Sequence, residues 1–340
     1  MRAAVIGLGY WGPNLVRVLT ESPGVEVVAV CDRDARRLAD CGRRYPGVRL
    51  EDQATAVLEA EDVDAVLIAT PVSTHHELGM RALAAGKHVF VEKPLASSSA
   101  DASELVQAAE REGLVLMPGH TFVYSAPVNL IGDLIHRNEL GDIYFISASR
   151  VNLGLHQPDV SVVWDLAPHD FSILCHWLGE LPVSVSARSR ACVVPNLADV
   201  AFISLQYGSG AIVHVELSWL APSKLRRTAV VGSEKMVVYD DTSNEPVRIY
   251  DSGAFVPTHQ SYGEYKMAYR SGDVVSPRVA AVEPLALELA DFCRAITSGV
   301  KPRSSWELGL DVVLMCEAVD RSLASDGAPA EVLAPTELVR

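Results

Sequence analysis

The first twelve residues constrain the fold more than any other part of this chain. An apolar run of strand length, Ala3-Ala4-Val5-Ile6, leads directly into Gly7-Leu8-Gly9-Tyr10-Trp11-Gly12, which has the pattern G-x-G-x-x-G. A second apolar run begins at Glu26 and ends on Asp32. This order of strand, glycine-rich turn, helix and acid-terminated strand is typical of a βαβ dinucleotide-binding unit.

Glycine is needed at each of the three motif positions for a physical reason. Gly7 permits the tight turn, Gly9 lets a pyrophosphate approach the backbone, and Gly12 lets the helix pack closely on its strand. The N–H groups and partial positive charge of the helix start attract the diphosphate. We therefore expect a nicotinamide dinucleotide to bind at Gly7, Gly9, Tyr10, Trp11 and Gly12.

The acid that ends the second strand indicates which dinucleotide is bound. Asp32 lies roughly twenty residues past the motif, where a carboxylate accepts hydrogen bonds from the adenosine ribose. That carboxylate repels the 2′-phosphate of NADP, so the sequence favours NAD. The neighbouring Arg33, which we include in the cofactor site, and Arg37 leave NADP open as the alternative.

Length and composition exclude several classes of protein. With 340 residues and 49% apolar residues, the chain predicts two folded domains. A formal net charge of −14 disfavours nucleic acid and acidic membrane surfaces as partners. We expect a cytoplasmic protein, since no apolar run approaches the ~20 residues of a membrane span and the chain opens directly into a strand. The cysteines form no C-x-x-C pattern, so we expect buried reduced thiols and no metal site.

The alternation of elements predicts the domain organisation. Strand-like and helix-like segments alternate up to about residue 120, which indicates a doubly wound parallel sheet. From Val183 to Tyr250 strands follow one another with short turns, which indicates a largely antiparallel sheet in an α+β domain. We predict a Rossmann domain over residues 1–121 and an α+β domain over residues 122–340. Asp251–Pro277 is interpreted as a long loop, whose tyrosines Tyr262, Tyr265 and Tyr269 are either substrate contacts or packing residues.

Thr70 and Pro71 follow the third of the predicted parallel strands. Ligands bind at the carboxyl ends of such strands, so both residues should line the cofactor cleft. Thr74 is either a further cleft residue or a helix N-cap. His75, at the helix start, is a stronger candidate for the cofactor site than His76.

Glu92-Lys93-Pro94 ends the next strand and points to the same cleft. The Lys93 ammonium would hydrogen-bond a hydroxyl or carbonyl oxygen and stabilise negative charge that develops during hydride transfer. A surface charge at a strand end is the alternative interpretation of Lys93.

Asp165-Leu166-Ala167-Pro168-His169 predicts a helix that starts at His169, because proline suits the first helical position. Asp165 would then lie just before the helix and orient the imidazole. Histidine is the natural acceptor for the proton of an alcohol near neutral pH. A helix-start aspartate with a packed histidine is the alternative interpretation.

These groups together resemble the Gfo/Idh/MocA oxidoreductases, and the resemblance extends over essentially the whole chain. It implies that Lys93 contacts the reacting hydroxyl, that His169 takes or gives the proton and that Asp165 assists. It further implies hydride transfer to the nicotinamide, a Lys-Pro bond that is often cis, and a homodimer or homotetramer formed through the C-terminal sheet.

Within that family the sequence looks most like enzymes acting on hexose rings of nucleotide sugars and aminoglycosides, as Arg150–Gly154, Val163–Asp165 and Gly119–Phe122 indicate. The resemblance implies oxidation of a ring hydroxyl, at C3, to a ketone that a transaminase can convert to an aminosugar. The implied substrate-binding residues are Lys93, His120, Asn152, Trp164, Asp165 and His169. Inositol or free-sugar oxidation, ketosugar reduction and a non-catalytic NAD-sensing regulator remain alternatives.

Overall fold

The computed structural model describes residues 1–154, 160–255 and 268–333, and these fall into two compact units. The first unit comprises Met1–Tyr124 and Val282–Leu314, and the second comprises Ser125–Ala281 and Met315–Leu333. The sequence-based division at residue 121 assigned Val282–Leu314 to the second domain, whereas the structure groups it with the first unit.

The elements are numbered along the described chain. The strands are β1 (Arg2–Ile6), β2 (Glu26–Cys31), β3 (Arg49–Glu51), β4 (Ala65–Ile68), β5 (His88–Glu92), β6 (Leu116–Gly119), β7 (Ile143–Leu153), β8 (Pro182–Arg190), β9 (Val200–Tyr207), β10 (Ile212–Ser218), β11 (Leu220–Gly232), β12 (Met236–Asp240), β13 (Val247–Phe255), β14 (Ala268–Val275) and β15 (Ala330–Glu331). The α-helices are α1 (Gly12–Glu21), α2 (Ala35–Arg44), α3 (Ala54–Leu58), α4 (His75–Ala84), α5 (Ser99–Glu112), α6 (Ala126–His136), α7 (Val162–Leu178), α8 (Pro284–Ser298) and α9 (Trp306–Ala324).

The first unit contains a parallel sheet, as the sequence predicts. In the described residues its order is β3-β2-β1-β4-β5-β6, and every neighbouring pair is parallel. The short edge strand β3 was not predicted, because three residues carry no recognisable period. This order reverses direction at β1, where a doubly wound sheet opens a crevice for a ligand.

Helix α8 belongs to the first unit because its apolar face completes that unit's core. Leu289 and Phe292 lie in the same buried cluster as Val5 and Phe90. The rings of Phe90 and Phe292 meet edge to face with centroids 5.8 Å apart. The helical period of a sequence carries no information about which core the helix joins.

The second unit contains the largely antiparallel sheet. Its order in the described residues is β14-β13-β12-β11-β7-β10-β9-β8-β15, with β7 and β10 as the parallel pair. The interpretation of Asp251–Pro277 as a loop is wrong at residues 251–255 and 268–275, which belong to β13 and β14 and pair antiparallel. Residues 256–267 of that segment lie outside the described part of the chain. The two strands lie towards one edge of the sheet and lack the apolar alternation on which the prediction relied. Tyr269 is exposed on β14, and Tyr262 and Tyr265 lie outside the described residues.

The central strands of this sheet bury one face and expose the other. Val213, Val215 and Ile203 are fully buried, on the side of α7, which packs against β9 and β10. Phe145, Phe202 and Ile212, on three adjacent strands, are each more than 40% exposed. Phe145 and Ile212 are paired neighbours across β7 and β10, whereas Phe202 lies opposite Glu216, four residues along β10 from Ile212.

Two further findings concern the expectations from composition. No helix in the described ranges is long and apolar enough to cross a membrane. Cys31 and Cys316 are buried as expected, but Cys192 is exposed. The prediction of uniformly buried thiols is therefore wrong at Cys192, which lies in the turn between β8 and β9.

Candidate active site

The glycine-rich turn joins β1 to α1, and its three glycines are needed for different reasons. Gly7 has φ of +96°, and a Cβ there would lie 2.4 Å from the Ala69 carbonyl oxygen. A Cβ on Gly12 would lie 1.9 Å from the Gly7 carbonyl oxygen. At Gly9 the nearest atom to such a Cβ is Arg37 Nη1 at 4.0 Å, so the fold itself leaves room. Gly7 and Gly12 are required by the fold, and Gly9 leaves the backbone open to a ligand.

The start of α1 is open to an anion. Trp11 occupies the N-cap position and supplies no side-chain acceptor to the first turn, and Tyr10 beside it is 81% exposed. The helix start therefore keeps its electropositive character, as expected of a diphosphate site.

Asp32 is held rigidly beside this turn. Its carboxylate accepts the Leu8 N–H at 2.6 Å and the Asp34 N–H at 2.8 Å, and the Arg37 guanidinium lies 3.6 Å away. Arg33 is exposed. A fixed, mostly buried carboxylate at this position suits a ribose hydroxyl and opposes a phosphate.

The turn after β4 is tied together by its hydroxyl groups. The Thr70 and Thr74 hydroxyl oxygens lie 2.7 Å apart, and Thr74 also donates to the Pro71 carbonyl at 2.7 Å. Thr74 precedes α4 but makes no side-chain cap, so the N-cap interpretation of its hydroxyl is wrong. The hydroxyl is instead used inside the turn.

The buried His75 side chain contacts the backbone at the ends of both β4 and β5. It is 1% exposed, and its two ring nitrogens lie 2.9 Å from the carbonyl oxygens of Thr70 and Pro94. The imidazole therefore links the end of β4 to the end of β5. His76, by contrast, meets the exposed Glu104 carboxylate on α5.

Lys93 follows β5 directly. It is half-buried and joined to Pro94 by a cis peptide bond, which confirms the expectation from the family resemblance. Burial raises the pKa of the preceding Glu92 to about 7, although the Lys93 ammonium and backbone N–H oppose the shift. Burial, aided by the charge of Lys93, lowers the pKa of His120 to about 3, so that imidazole is neutral. The charge of Lys93 thus affects the pKa of two buried side chains, Glu92 and His120.

Asp165 and His169 lie one turn apart on α7, four residues from each other, which places both on one helix face. The predicted helix start at His169 is wrong: α7 begins at Val162, and Pro168 lies inside it. The Asp165 N–H already bonds the Ser161 carbonyl at 3.0 Å, so the helix is nucleated before the proline, which then lacks only one donor.

Two contacts within the second unit fix this helix. Trp219 donates its indole N–H to Asp165 Oδ2 at 3.0 Å. Arg150 on β7 makes two hydrogen bonds to Asp170, of 2.7 Å and 3.0 Å, and both side chains are buried. His169 therefore lies between two anchored aspartates. Sequence reasoning missed both anchors: no pattern reports that Trp219 meets Asp165, although a charged Arg150 in an apolar strand does signal a buried partner.

The remaining substrate candidates are placed differently from one another. Asn152 lies beside Trp219 near Gly154, and its buried Oδ1 has no hydrogen-bond partner among the described residues. Trp164 donates its indole N–H to Asp320 on α9 at 2.8 Å. Asn152 Oδ1 could therefore accept a hydrogen bond from a ligand, whereas the Trp164 indole N–H already donates to Asp320. Within the described ranges no three histidine, cysteine or acidic side chains are arranged to hold a metal ion.

The features of the first unit define a dinucleotide-binding Rossmann fold, and comparison with known proteins confirms this class. The profile of an oxidoreductase family with an NAD-binding Rossmann fold matches residues 1–120, and that of the same family's C-terminal domain matches residues 128–238. The chain belongs to this family, GFO/IDH/MocA.

Three relatives show the range of similarity. D-apiose dehydrogenase of Paraburkholderia graminis is 32% identical over 226 residues, which cover 64% of this chain and 60% of that enzyme, less than two thirds of its length. The crystal structure of GenD2 from gentamicin A biosynthesis, in complex with NAD, is 25% identical with a TM-score of 0.83, covering 98% of this chain and 97% of that one. UDP-N-acetylglucosamine 3-dehydrogenase GnnA from Acidithiobacillus ferrooxidans is 25% identical with a TM-score of 0.78, covering 96% and 98%.

The different roles of Gly9 and Gly12 can be separated by matched substitutions. Gly9→Ala should melt close to the parent temperature, because its methyl group has room, but should weaken NAD binding at least about tenfold by meeting the pyrophosphate. Gly12→Ala should lose about 1–3 kcal/mol of stability through overpacking. Thermal melts and calorimetric titration with NAD measure both, and equal effects of the two changes on stability would contradict this division.

Asp32 should make NAD the preferred cofactor by at least about tenfold in affinity over NADP, through charge repulsion. In Asp32→Asn the preference should shrink, because the amide still accepts the Leu8 N–H but carries no charge. Asp34→Asn, at the exposed neighbouring carboxylate, is the control and should keep the preference. Calorimetry with both cofactors decides, and tighter NADP binding by the parent would show that Arg33 or Arg37 meets the phosphate.

Proposed function

We propose that this protein is an NAD-dependent dehydrogenase that oxidises a secondary ring hydroxyl of a sugar, at C3, to a ketone. The observation that carries the proposal is the presence of Lys93, Asp165 and His169 together in a chain whose first unit has an NAD-binding fold. A protein that only senses NAD needs none of these three side chains.

NAD, when bound, supplies the hydride acceptor. The substrate carbon loses its hydrogen as hydride, the hydroxyl oxygen loses its proton, and the carbon–oxygen single bond becomes double. Lys93 donates a hydrogen bond to that oxygen and stabilises the negative charge that develops on it. His169 accepts the hydroxyl proton, for which a neutral imidazole is needed.

Asp165 orients His169 in this proposal. Its carboxylate accepts the Trp219 indole N–H at 3.0 Å, which restricts the orientation of the side chain. Asp170 and Arg150 anchor the next turn. Positioning of this kind supports general-base catalysis, because a misplaced base loses much of its effect.

The class of substrate is inferred from relatives that cover nearly the whole chain. GnnA is a UDP-N-acetylglucosamine 3-dehydrogenase, and GenD2 comes from gentamicin A biosynthesis. GnnA supports a hexose ring as substrate and C3 as the oxidised position, and GenD2 supports an antibiotic pathway as the setting. A 3-ketosugar is a substrate for transamination, so aminosugar or antibiotic biosynthesis is the proposed setting.

The proposal is tested with NAD and a panel of nucleotide sugars, aminoglycoside pseudosaccharides, inositols and free sugars, with NADH absorbance as the readout. NADH formation with a nucleotide sugar or pseudosaccharide, and a 3-ketone in the product, is the expected result. If inositol is the one compound oxidised, the proposed substrate is wrong. If the enzyme only reduces a ketosugar with NADH, the proposed direction of the reaction is wrong. NAD binding with no turnover of any compound would favour a regulator.

Lys93→Ala should abolish detectable turnover while NAD still binds, since the diphosphate is held by the backbone of Gly7 to Gly12 and the lysine acts on the substrate oxygen. Lys301→Ala, at an exposed lysine of the same unit, is the matched control and should turn over normally. Steady-state kinetics and NAD calorimetry measure the two properties, and near-normal turnover would remove Lys93 from the mechanism.

His169→Asn should reduce the rate of oxidation roughly a hundredfold or more and flatten the acidic limb of the pH–rate profile. The imidazole must be neutral to accept the proton, so the rate falls as pH drops below its pKa. Asp165→Asn should move that limb to lower pH, because the neutral amide no longer favours the imidazolium. A His169→Asn enzyme with full rate and an intact acidic limb would place the base elsewhere.

The exposed sheet face that carries Phe145, Phe202 and Ile212 is proposed to form the subunit interface with a second copy of this chain. Charged residues there should convert a dimer or tetramer to monomer, because burying an unpaired carboxylate opposes association. Phe202→Asp with Ile212→Asp is the test, and Val193→Asp, exposed outside the strands of this sheet, is the control. Analytical ultracentrifugation measures the mass, and an unchanged oligomer in the double variant would exclude this face.

A further inference from the structure

Two carboxyl groups are buried in the first unit on either side of the short segment that ends β6. Glu92 pairs with Gly119 across β5 and β6, and a Cβ on Gly119 would lie 3.3 Å from Glu92 Oε2. Two residues further on, Thr121 donates its hydroxyl to Glu288 Oε2 at 2.6 Å. Glu92 is 7% exposed and Glu288, on α8, is fully buried.

His120 stands in the chain between Gly119, which meets Glu92, and Thr121, which meets Glu288. Among the described residues, Glu92, His120 and Glu288 each carry a buried side-chain polar atom without a hydrogen-bond partner. In the part of the chain that the structure describes, Glu92 Oε1, Glu288 Oε1 and both ring nitrogens of His120 are buried without a hydrogen-bond partner. Buried polar atoms nearly always have partners, either directly or through an ordered water. Four such atoms, on three side chains at or next to residues 119–121, therefore need a common explanation.

The balance of hydrogen-bond donors and acceptors explains the four unsatisfied atoms. A neutral His120 has one N–H donor and one nitrogen acceptor. If both carboxyls are ionised, their two open oxygens and that nitrogen make three acceptors for one donor. A single proton on Glu288 Oε1 gives two donors for two acceptors, so the group is balanced by one added proton.

Electrostatics agree with this count. Burial raises the pKa of Glu288 well above its ordinary range, and the charges of Glu92 and Asp291 raise it further while the Thr121 hydroxyl opposes. The positive charge that faces Glu92 is that of Lys93, whose backbone N–H also bonds the Glu92 carboxylate. The charged groups that act on the pair are Lys93 from the end of β5, which faces Glu92, and Asp291 from α8, which faces Glu288. Lys93 also acts on His120, from the end of β6.

We propose that Glu288 is a neutral carboxylic acid near pH 7 and a positioning residue for Lys93. Its O–H is the donor that the buried Glu92 and His120 group lacks, either directly or through a water. Glu92, held in this way, fixes the backbone and the electrostatic surroundings of Lys93. The proposal rests on the proposed function only in the role that it gives to Lys93.

The protonation state is tested first, in the absence of any sugar. Glu288→Gln keeps the volume, the acceptor for Thr121 and a donor in place of the O–H. Infrared spectroscopy at pH 7 should show a protonated-carboxyl band in the parent that is lost in Glu288→Gln. The variant should also gain stability over the parent as the pH rises from about 5 to about 8, because a carboxyl that is neutral in the folded protein ionises when the chain unfolds. If Glu288 is ionised in the folded protein at pH 7, no such band is lost, and the gain in stability levels off before pH 7. That result overturns the proposal.

The positioning role is tested by turnover. Glu288→Leu removes the donor at nearly constant volume and should lower kcat roughly tenfold with the KM for NAD unchanged, the size expected when buried acceptors lose their donor. Glu288→Gln should retain kcat within about twofold and leave the pH profile unmoved. Leu289→Ala, at a fully buried residue of the same helix, is the control and should lower the melting temperature without changing the pH profile.

These readouts separate the two proposals. If Glu288→Gln loses kcat as Glu288→Leu does, or if Glu288→Leu keeps full kcat, Glu288 is not a positioning donor. If the infrared and melting results hold but no sugar is oxidised, the protonation state of Glu288 stands and the proposed function fails.

Discussion

Parallel pairing throughout the first sheet is the constraint from which the NAD-binding unit follows. Strands that run in one direction end at one edge, so residues far apart in the chain are delivered to the same place. Asp32 follows β2, the Thr70 turn follows β4, Lys93 follows β5 and His120 follows β6. Helices on both faces cover the sheet and leave that edge as the place where polar groups and backbone can meet a ligand.

At that edge the loops are held by contacts that leave little freedom. His75 ties the end of β4 to the residue after Lys93, and the Leu8 N–H ties the glycine-rich turn to Asp32. In the second unit the buried pair of Arg150 and Asp170 serves the same purpose for α7. A buried ion pair adds little net stability but is costly to break, so it is suited to fixing one register of a helix.

The sequence predicts what local patterns control. The parallel sheet of the first unit and the roles of Gly7 and Gly12 follow from the alternation of elements and from turn chemistry. Patterns cannot report contacts made by distant residues, and this explains the failures. A proline does not begin α7, because the helix is already formed before it, and His75 serves carbonyl groups at two strand ends. The edge strand β14 and its neighbour β13 were missed because they lack the apolar alternation on which the prediction relied.

The grouping of Val282–Leu314 with Met1–Tyr124 makes the first unit discontinuous in the chain. Its core is closed by Leu289 and Phe292, which leave the ribosome after more than four fifths of the 340 residues have been made. During synthesis the parallel sheet must therefore wait with an uncovered apolar surface until α8 arrives. A fragment that ends at Tyr124 would keep this surface permanently, so the dinucleotide-binding unit is not a module that can be cut from the start of the chain and used alone.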